Sequence, residues 1–222
     1  IVLQPWDKKD LRLEFELKVM AKNKAQAEEV LNDMGIVKRA VSGAYSLELR
    51  GADGGSNEER KIESHWTVYI PKAKFALIIA NRFGNVNIPD YACKALSAYV
   101  KFGALQCGNL QTDEQKCELK AEHGSLKLTN SKTANVQAKF SSVDITRCTN
   151  LVLNVQHAEQ VSIGTCTDLN LVCEFSGVTL DQAQNATVSL QHSKLNAKAV
   201  RNLNGSLHHS DIHIKEVAET LS

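Results

Sequence analysis

"LQHSKLNA" at residues 190–197 and "LHHSDIHI" at 207–214 each carry a leucine, a histidine two positions on, a serine, and then alternating apolar residues. His192 and His209 are 17 residues apart. Such a pair suits either a split metal site or one unit of structure written twice. Aligning the chain on this histidine gives eight units, anchored at Phe83, Phe102, His123, Phe140, His157, Phe175, His192 and His209, with steps of 19, 21, 17, 17, 18, 17 and 17 residues. A small residue follows every anchor: Gly84, Gly103, Gly124, Ser141, Ala158, Ser176, Ser193 and Ser210. Repetition at this length comes before any other reading of the chain.

Two apolar columns follow the anchors, with one inserted residue in the His157 unit. The first runs Val86, Leu105, Leu126, Val143, Val161, Val178, Leu195, Ile212, and the second Ile88, Cys107, Leu128, Ile145, Ile163, Leu180, Ala197, Ile214. Within a unit the apolar period is two, the period of a strand with one face inward. About 17 residues hold two or three short strands with tight corners and leave no room for a crossover helix. Units of this length bury their apolar side by stacking, so residues 74–222 are predicted to form a single-stranded parallel β-helix, or β-solenoid, of about eight short rungs. Continuing the alternation through the anchors places their side chains in the core, where phenylalanines and histidines would stack. Stacked rings on adjacent rungs point the same way and do not converge on one ion, so no residue is assigned as a metal ligand. His208 and His213 alternate outward near His209 and leave a weak surface metal site open. Asn150, Asp168, Asn185 and Asn202 share another column and read as a corner ladder, because Asn and Asp tolerate left-handed backbone.

The six cysteines form no CxxC pair, which argues against a zinc knuckle or a thioredoxin-like centre. Cys107, Cys117 and Cys173 replace aliphatic residues in the inward columns, as small hydrophobes do. Cys148 and Cys166 follow one another in a column with Leu110, Ala183, Val200 and Val217. They are the only pairing the repeat suggests, although parallel neighbours make poor disulfide geometry.

Residues 1–73 read as an N-terminal α+β cap with the order strand, helix, strand, strand. "LRLEFELKVM" (11–20) alternates, Asn23 caps a helix that Gly35 ends, and "VKRAVSGAYSLELRG" and "KIESHWTVYIP" return as strands. "ADGGSNEER" (52–60) is a polar turn. The segment covers the first rung's unpaired edge, with Trp6 and Trp66 sealing the junction. Lys215, Glu216 and Glu219 charge the opposite edge.

With 26 basic and 25 acidic residues the net charge is +1, which gives no general attraction to nucleic acid or to anionic membrane. No apolar run reaches the ~20 residues of a membrane span. A start at Ile1 in place of Met reads as a mature or trimmed form. In none of the outward columns do two carboxylates fall on adjacent rungs, as a polysaccharide-cleaving β-helix would need. No nucleophile elbow, Walker loop, dinucleotide fingerprint or HExxH is present. The expectation is therefore a protein with no catalytic residue, no cofactor and no metal, whose outer columns are rich in Asn, Gln, Ser, Thr and Lys.

"ALIIANRFGNVNIPDY" (76–91), preceded by "WTVYIPK", resembles the auto-transporter adhesin (head GIN-like) family, exported bacterial domains of unknown function. The matching features are Pro71, the Asn81–Phe83–Gly84 turn, and Val86 with Ile88. The resemblance covers about residues 60–220 and implies a β-helix, export to the periplasm or cell surface, and adhesion to glycan or to an envelope protein. A structural or signalling-associated envelope protein acting through protein partners is the alternative, and a carbohydrate-active enzyme the third reading.

Overall fold

Why does each repeat need about 17 residues? The computed structural model, which describes residues 1–33, 35–41, 44–50, 61–72, 75–113 and 116–221, shows that one repeat makes one three-sided turn of a parallel β-solenoid. In the strand Ser142–Gln156, buried and outward residues alternate except at two outward doublets, Thr146–Arg147 and Thr149–Asn150. Pairing with the rung before skips Thr146 and Thr149. Those two positions are corners, and the third is the anchor, His157. A long side (Leu151, Leu153, Val155 inward), a medium side (Val143, Ile145) and a short side holding only Cys148 result.

In chain order the elements are β1 (Val2–Trp6), β2 (Arg12–Met20), α1 (Lys24–Asp33), β3 (Gly35–Val41), β4 (Ala44–Arg50), β5 (Lys61–Pro71), β6 (Ala76–Asn81), β7 (Val86–Ile88), β8 (Tyr91–Cys93), β9 (Ala95–Lys101), β10 (Ala104–Thr112), β11 (Cys117–Glu122), β12 (Ser125–Lys139), β13 (Ser142–Gln156), β14 (Val161–Glu174), β15 (Gly177–Gln191), β16 (Lys194–His208) and β17 (Asp211–Leu221). From β12 onward each strand is bent around two corners, and each pairs in parallel with the next. The inserted residue of the His157 unit falls before Val161, and the register resumes at Val143 opposite Val161.

Contacts divide the chain into two units, Ile1–Arg12 with Thr67–Ser222, and Leu13–Trp66. In the first, β1 extends the sheet beyond the first rung: Val2 pairs with Asn87 of β7, and Val2–Trp6 runs parallel to Thr67–Pro71. Trp6 packs on Tyr69 with ring centroids 5.2 Å apart. The Tyr91 hydroxyl, on the first rung, donates to the Pro71 carbonyl at 2.8 Å. In the second unit Asn23 caps α1, its Oδ1 accepting from the Gln26 amide at 3.0 Å. β3 and β4 pair antiparallel, and Trp66 packs on Phe15. The 52–60 turn, the helix's last link at position 34 and the side chain of Glu219 lie outside the described residues.

The anchors do not lie in the core. Seven of them, from Phe102 to His209, have φ between 48° and 57°, the left-handed region. One left-handed residue inverts the alternation: the anchor turns outward and the small residue after it turns inward. Ser141, Ser176 and Ser193 are accordingly buried, while Phe102, Phe140 and Phe175 are 42%, 44% and 47% exposed and Phe83 is 70% exposed. Left-handed backbone costs a non-glycine residue roughly 1–2 kcal/mol, and two interactions offset it here. The anchor amide donates to the carbonyl before the next anchor, as from Phe140 to Gln156 at 2.9 Å and from Phe175 to Gln191 at 3.0 Å. The inward serine then serves the next free amide: Ser176 Oγ accepts from Ala158 N at 2.8 Å and donates to Glu174 O at 2.8 Å, and Ser193 Oγ accepts from Ser176 N at 3.2 Å. Serine hydroxyls of this column thus accept from the backbone amides of Gly124, Ala158, Ser176 and Ser193.

On the first rungs the same inward column is glycine, and what it provides is room. A Cβ on Gly124 would stand 1.9 Å from the Gly103 carbonyl oxygen, so the rungs could not approach as they do. Asn81 closes the first corner, its Nδ2 donating to the carbonyls of Phe83 (3.2 Å) and Gly84 (2.9 Å). The Asn81–Phe83–Gly84 motif is therefore corner chemistry.

Exposure of the anchors makes Phe140→Asn a mild change. Asn tolerates the left-handed backbone, and what is lost is ring stacking worth ~0.5–1.5 kcal/mol per neighbour. We expect a loss of about 1–2 kcal/mol in a urea melt, against the roughly 3–5 kcal/mol of a buried Phe truncation.

All six cysteines are buried and free. Cys148 and Cys166 stand opposite one another in register, and each remains a thiol. Burial pushes the thiols up, Cys93 and Cys166 to about 11 and Cys117 and Cys148 to about 12. With almost no thiolate at neutral pH they are poor nucleophiles. The native chain should react with none of an aromatic disulfide reagent, and the urea-unfolded chain with six equivalents.

Candidate functional site

Three exterior features of the solenoid unit have the regularity a binding surface needs. The first is the ring ladder. Phe83, Phe102, His123, Phe140, His157, Phe175, His192 and His209 stack along one corner with centroids 4.8–5.4 Å apart and interplanar angles of 1–17°. The expected stacking is present, on the outside. Arg82, Lys101 and Lys139 each lie over the phenylalanine that follows them, at 5.3–5.7 Å. Every internal ring has both faces covered by its neighbours, so the ladder presents ring edges to solvent. A sugar or base that stacks on an aromatic face finds no free face between the two ends of the ladder. His208 meets His209 edge-on at 4.4 Å, and among the described residues no group of three His, Cys, Asp or Glu side chains is arranged to hold a metal.

The second feature is the long side. Between its inward columns run two outward ones, Asn135, Val152, Asn170, Thr187, Asn204 and Gln137, Asn154, Val172, Ser189, Ser206, held in register by the pairing of β12 through β16. These ten side chains carry no formal charge. Towards the first rungs the same side becomes charged: Glu122 lies 3.0 Å from Lys120 and 3.4 Å from Lys101, and accepts from the Tyr99 hydroxyl at 3.1 Å. The Lys120 hydrogen bond, then those of Tyr99 and Lys101, hold its carboxyl down to about 2. Four further outward carboxylates are also engaged. Glu174 accepts from Gln156 at 2.6 Å, Asp168 from Asn185 at 2.7 Å, Asp181 meets Lys198 at 2.6 Å and Asp144 meets Lys127 at 3.3 Å. Asn202 continues the corner ladder by donating to Asn185 at 2.9 Å. Of the expected ladder, Asp168, Asn185 and Asn202 are linked by hydrogen bonds and Asn150 stands in register beside Asp168, but none takes the expected left-handed backbone, which belongs to the ring column.

The third feature is a groove of about 510 Å³ on the short side, floored by Cys166, Ala183 and Val200. A paired column beside one corner (Thr165, Gln182, Ala199, Glu216) and the column at the other corner (Thr167, Gln184, Arg201) wall it. It exists because the short side has a single inward residue per rung and that residue is small where Ala183 stands. Periodicity alone does not reveal it.

No family model, no curated protein and no solved structure matches this chain. No helix among the described residues is long and apolar enough to cross a membrane.

Proposed function

We propose that this chain is a non-catalytic binding module of an exported or cell-surface protein, an adhesin in the broad sense, whose long side meets a glycan-coated or protein surface. The observation that carries the reading is the in-register block of ten uncharged side chains from Asn135 to Ser206. Amides and hydroxyls on a rigid sheet lose little freedom on contact, and an uncharged patch has no ion shell to strip. Engagement of Glu122, Asp144, Asp168, Glu174 and Asp181 by cations and amides supports a non-catalytic role, since general acid–base chemistry on a sugar needs two carboxyls facing one site. The resemblance of 76–91 to exported adhesin domains points the same way. Retention of the labelled chain on immobilised mucin, peptidoglycan and outer-membrane material tests it. We expect saturable retention on at least one surface, weakened at least fivefold by Asn154→Arg with Asn170→Arg and unchanged by Asp144→Asn. Retention on none overturns the reading.

A further inference from the structure

We infer that the groove on the short side binds a neutral saccharide chain laid parallel to the solenoid axis, a second contact beside the long side. The inference rests on the binding-module reading and adds a ligand class and a place. The groove crosses four rungs, from Thr165 to Glu216, a length of roughly 14 Å at the strand spacing. Its volume of about 510 Å³ falls in the range of small-ligand sites.

The lining selects among ligands. Beneath the groove β14, β15 and β16 are each paired on both sides, so along three of its four rungs no backbone edge is open for a peptide to add as a strand, and only the outer edge of β17, at one end, lacks a partner among the described residues. No aromatic ring lines it, so a nucleobase has nothing to stack on. One Arg201 and one Glu216 balance in charge, which favours neither a polyanion nor a polycation. What remains is a row of hydroxyls and amides at rung spacing: Thr165, Thr167, Gln182 and Gln184. Among the described residues these four side chains make no hydrogen bond to another protein group, unlike the neighbouring Asp168, Asn185 and Asn202, which bond to one another. Each carboxamide offers both donors and an acceptor, and each threonine hydroxyl one donor and acceptor pair, which is the complement of a sugar's vicinal hydroxyls. The apolar floor of Cys166, Ala183 and Val200 suits the C–H side of a pyranose ring.

Isothermal titration of the full chain with cellohexaose, laminarihexaose, chitohexaose and maltohexaose tests the inference. The wild type is expected to bind at least one of them. Gln182→Ala with Gln184→Ala should weaken that binding at least tenfold, and Asn154→Ala with Asn170→Ala on the long side should not. All four positions are exposed, and an unchanged melting temperature shows that each variant is folded. Binding lost in the long-side variant and kept in the groove variant overturns the groove assignment. Binding of none of the four by the wild type overturns the saccharide, while retention on immobilised surfaces still decides the binding-module reading by itself.

Discussion

Val178→Asp is expected to abolish the cooperative fold, and Thr179→Asp, one residue on, to leave it standing. Val178 is wholly buried between Val161 and Leu195 on the neighbouring rungs. A carboxylate there has no cation within the core, and its effective desolvation penalty is several kcal/mol. That is a large part of the 5–15 kcal/mol by which domains are usually stable. Thr179 points out, its Oγ1 donating to the Val161 carbonyl at 3.1 Å, so its replacement forfeits one partly exposed hydrogen bond, about 1 kcal/mol. Urea melts followed by circular dichroism give the contrast directly. Equal losses at the two positions would mean that the inward and outward assignments are wrong.

The second large effect comes from two leucines of one column. Leu190 is 1% exposed and Leu207, on the next rung, is 50% exposed. Leu190→Ala opens a cavity flanked by Cys173 and Leu207, and such truncations cost about 2–5 kcal/mol. Leu207→Ala removes a side chain already half in water, and about 1 kcal/mol is expected. In a solenoid each rung depends on its neighbours, so the Leu190 hole should lower the melting midpoint and broaden the transition by uncoupling the rungs on either side. A Leu207→Ala loss as large as that of Leu190→Ala would show that the last rungs are covered by something beyond the described residues.

Much of this architecture is legible in the sequence because a solenoid writes the same physical requirement on every rung. The columns from Val86 to Ile212 and from Ile88 to Ile214 face inward as their period-two spacing demands, and the buried cysteines sit where aliphatic residues could. The ring column was legible as a stack but not as an exterior one, since alternation continued through an anchor places it inside. Only the backbone reverses it: one left-handed residue per turn moves Phe140 out and Ser141 in. A signal was nevertheless present. A column mixing histidine with phenylalanine, always followed by glycine, serine or alanine, suits an outward, left-handed corner, for which histidine is enriched, better than a packed core. The number of sides was hidden in the outward doublets at Thr146–Arg147 and Thr149–Asn150, which look like noise until the skipped pairings explain them. β1 was not legible because its partners, Thr67–Pro71, are some sixty residues away in sequence. The groove was not legible either, since it depends on a three-sided cross-section and on the small side chain of Ala183.

The claim on which the rest depends is that equivalent outward positions stack one strand spacing apart along a single axis. Nitroxides placed by Glu118→Cys and Asn204→Cys test it, because the native thiols are buried and do not compete for label. Glu118, Asn135, Val152, Asn170, Thr187 and Asn204 are successive partners in one column, so the two Cα atoms are five steps, about 24 Å, apart. A narrow distance distribution centred near that value by pulsed electron resonance is the predicted result. A broad distribution, or a centre far outside it, would contradict the stacked solenoid and the surfaces built on it.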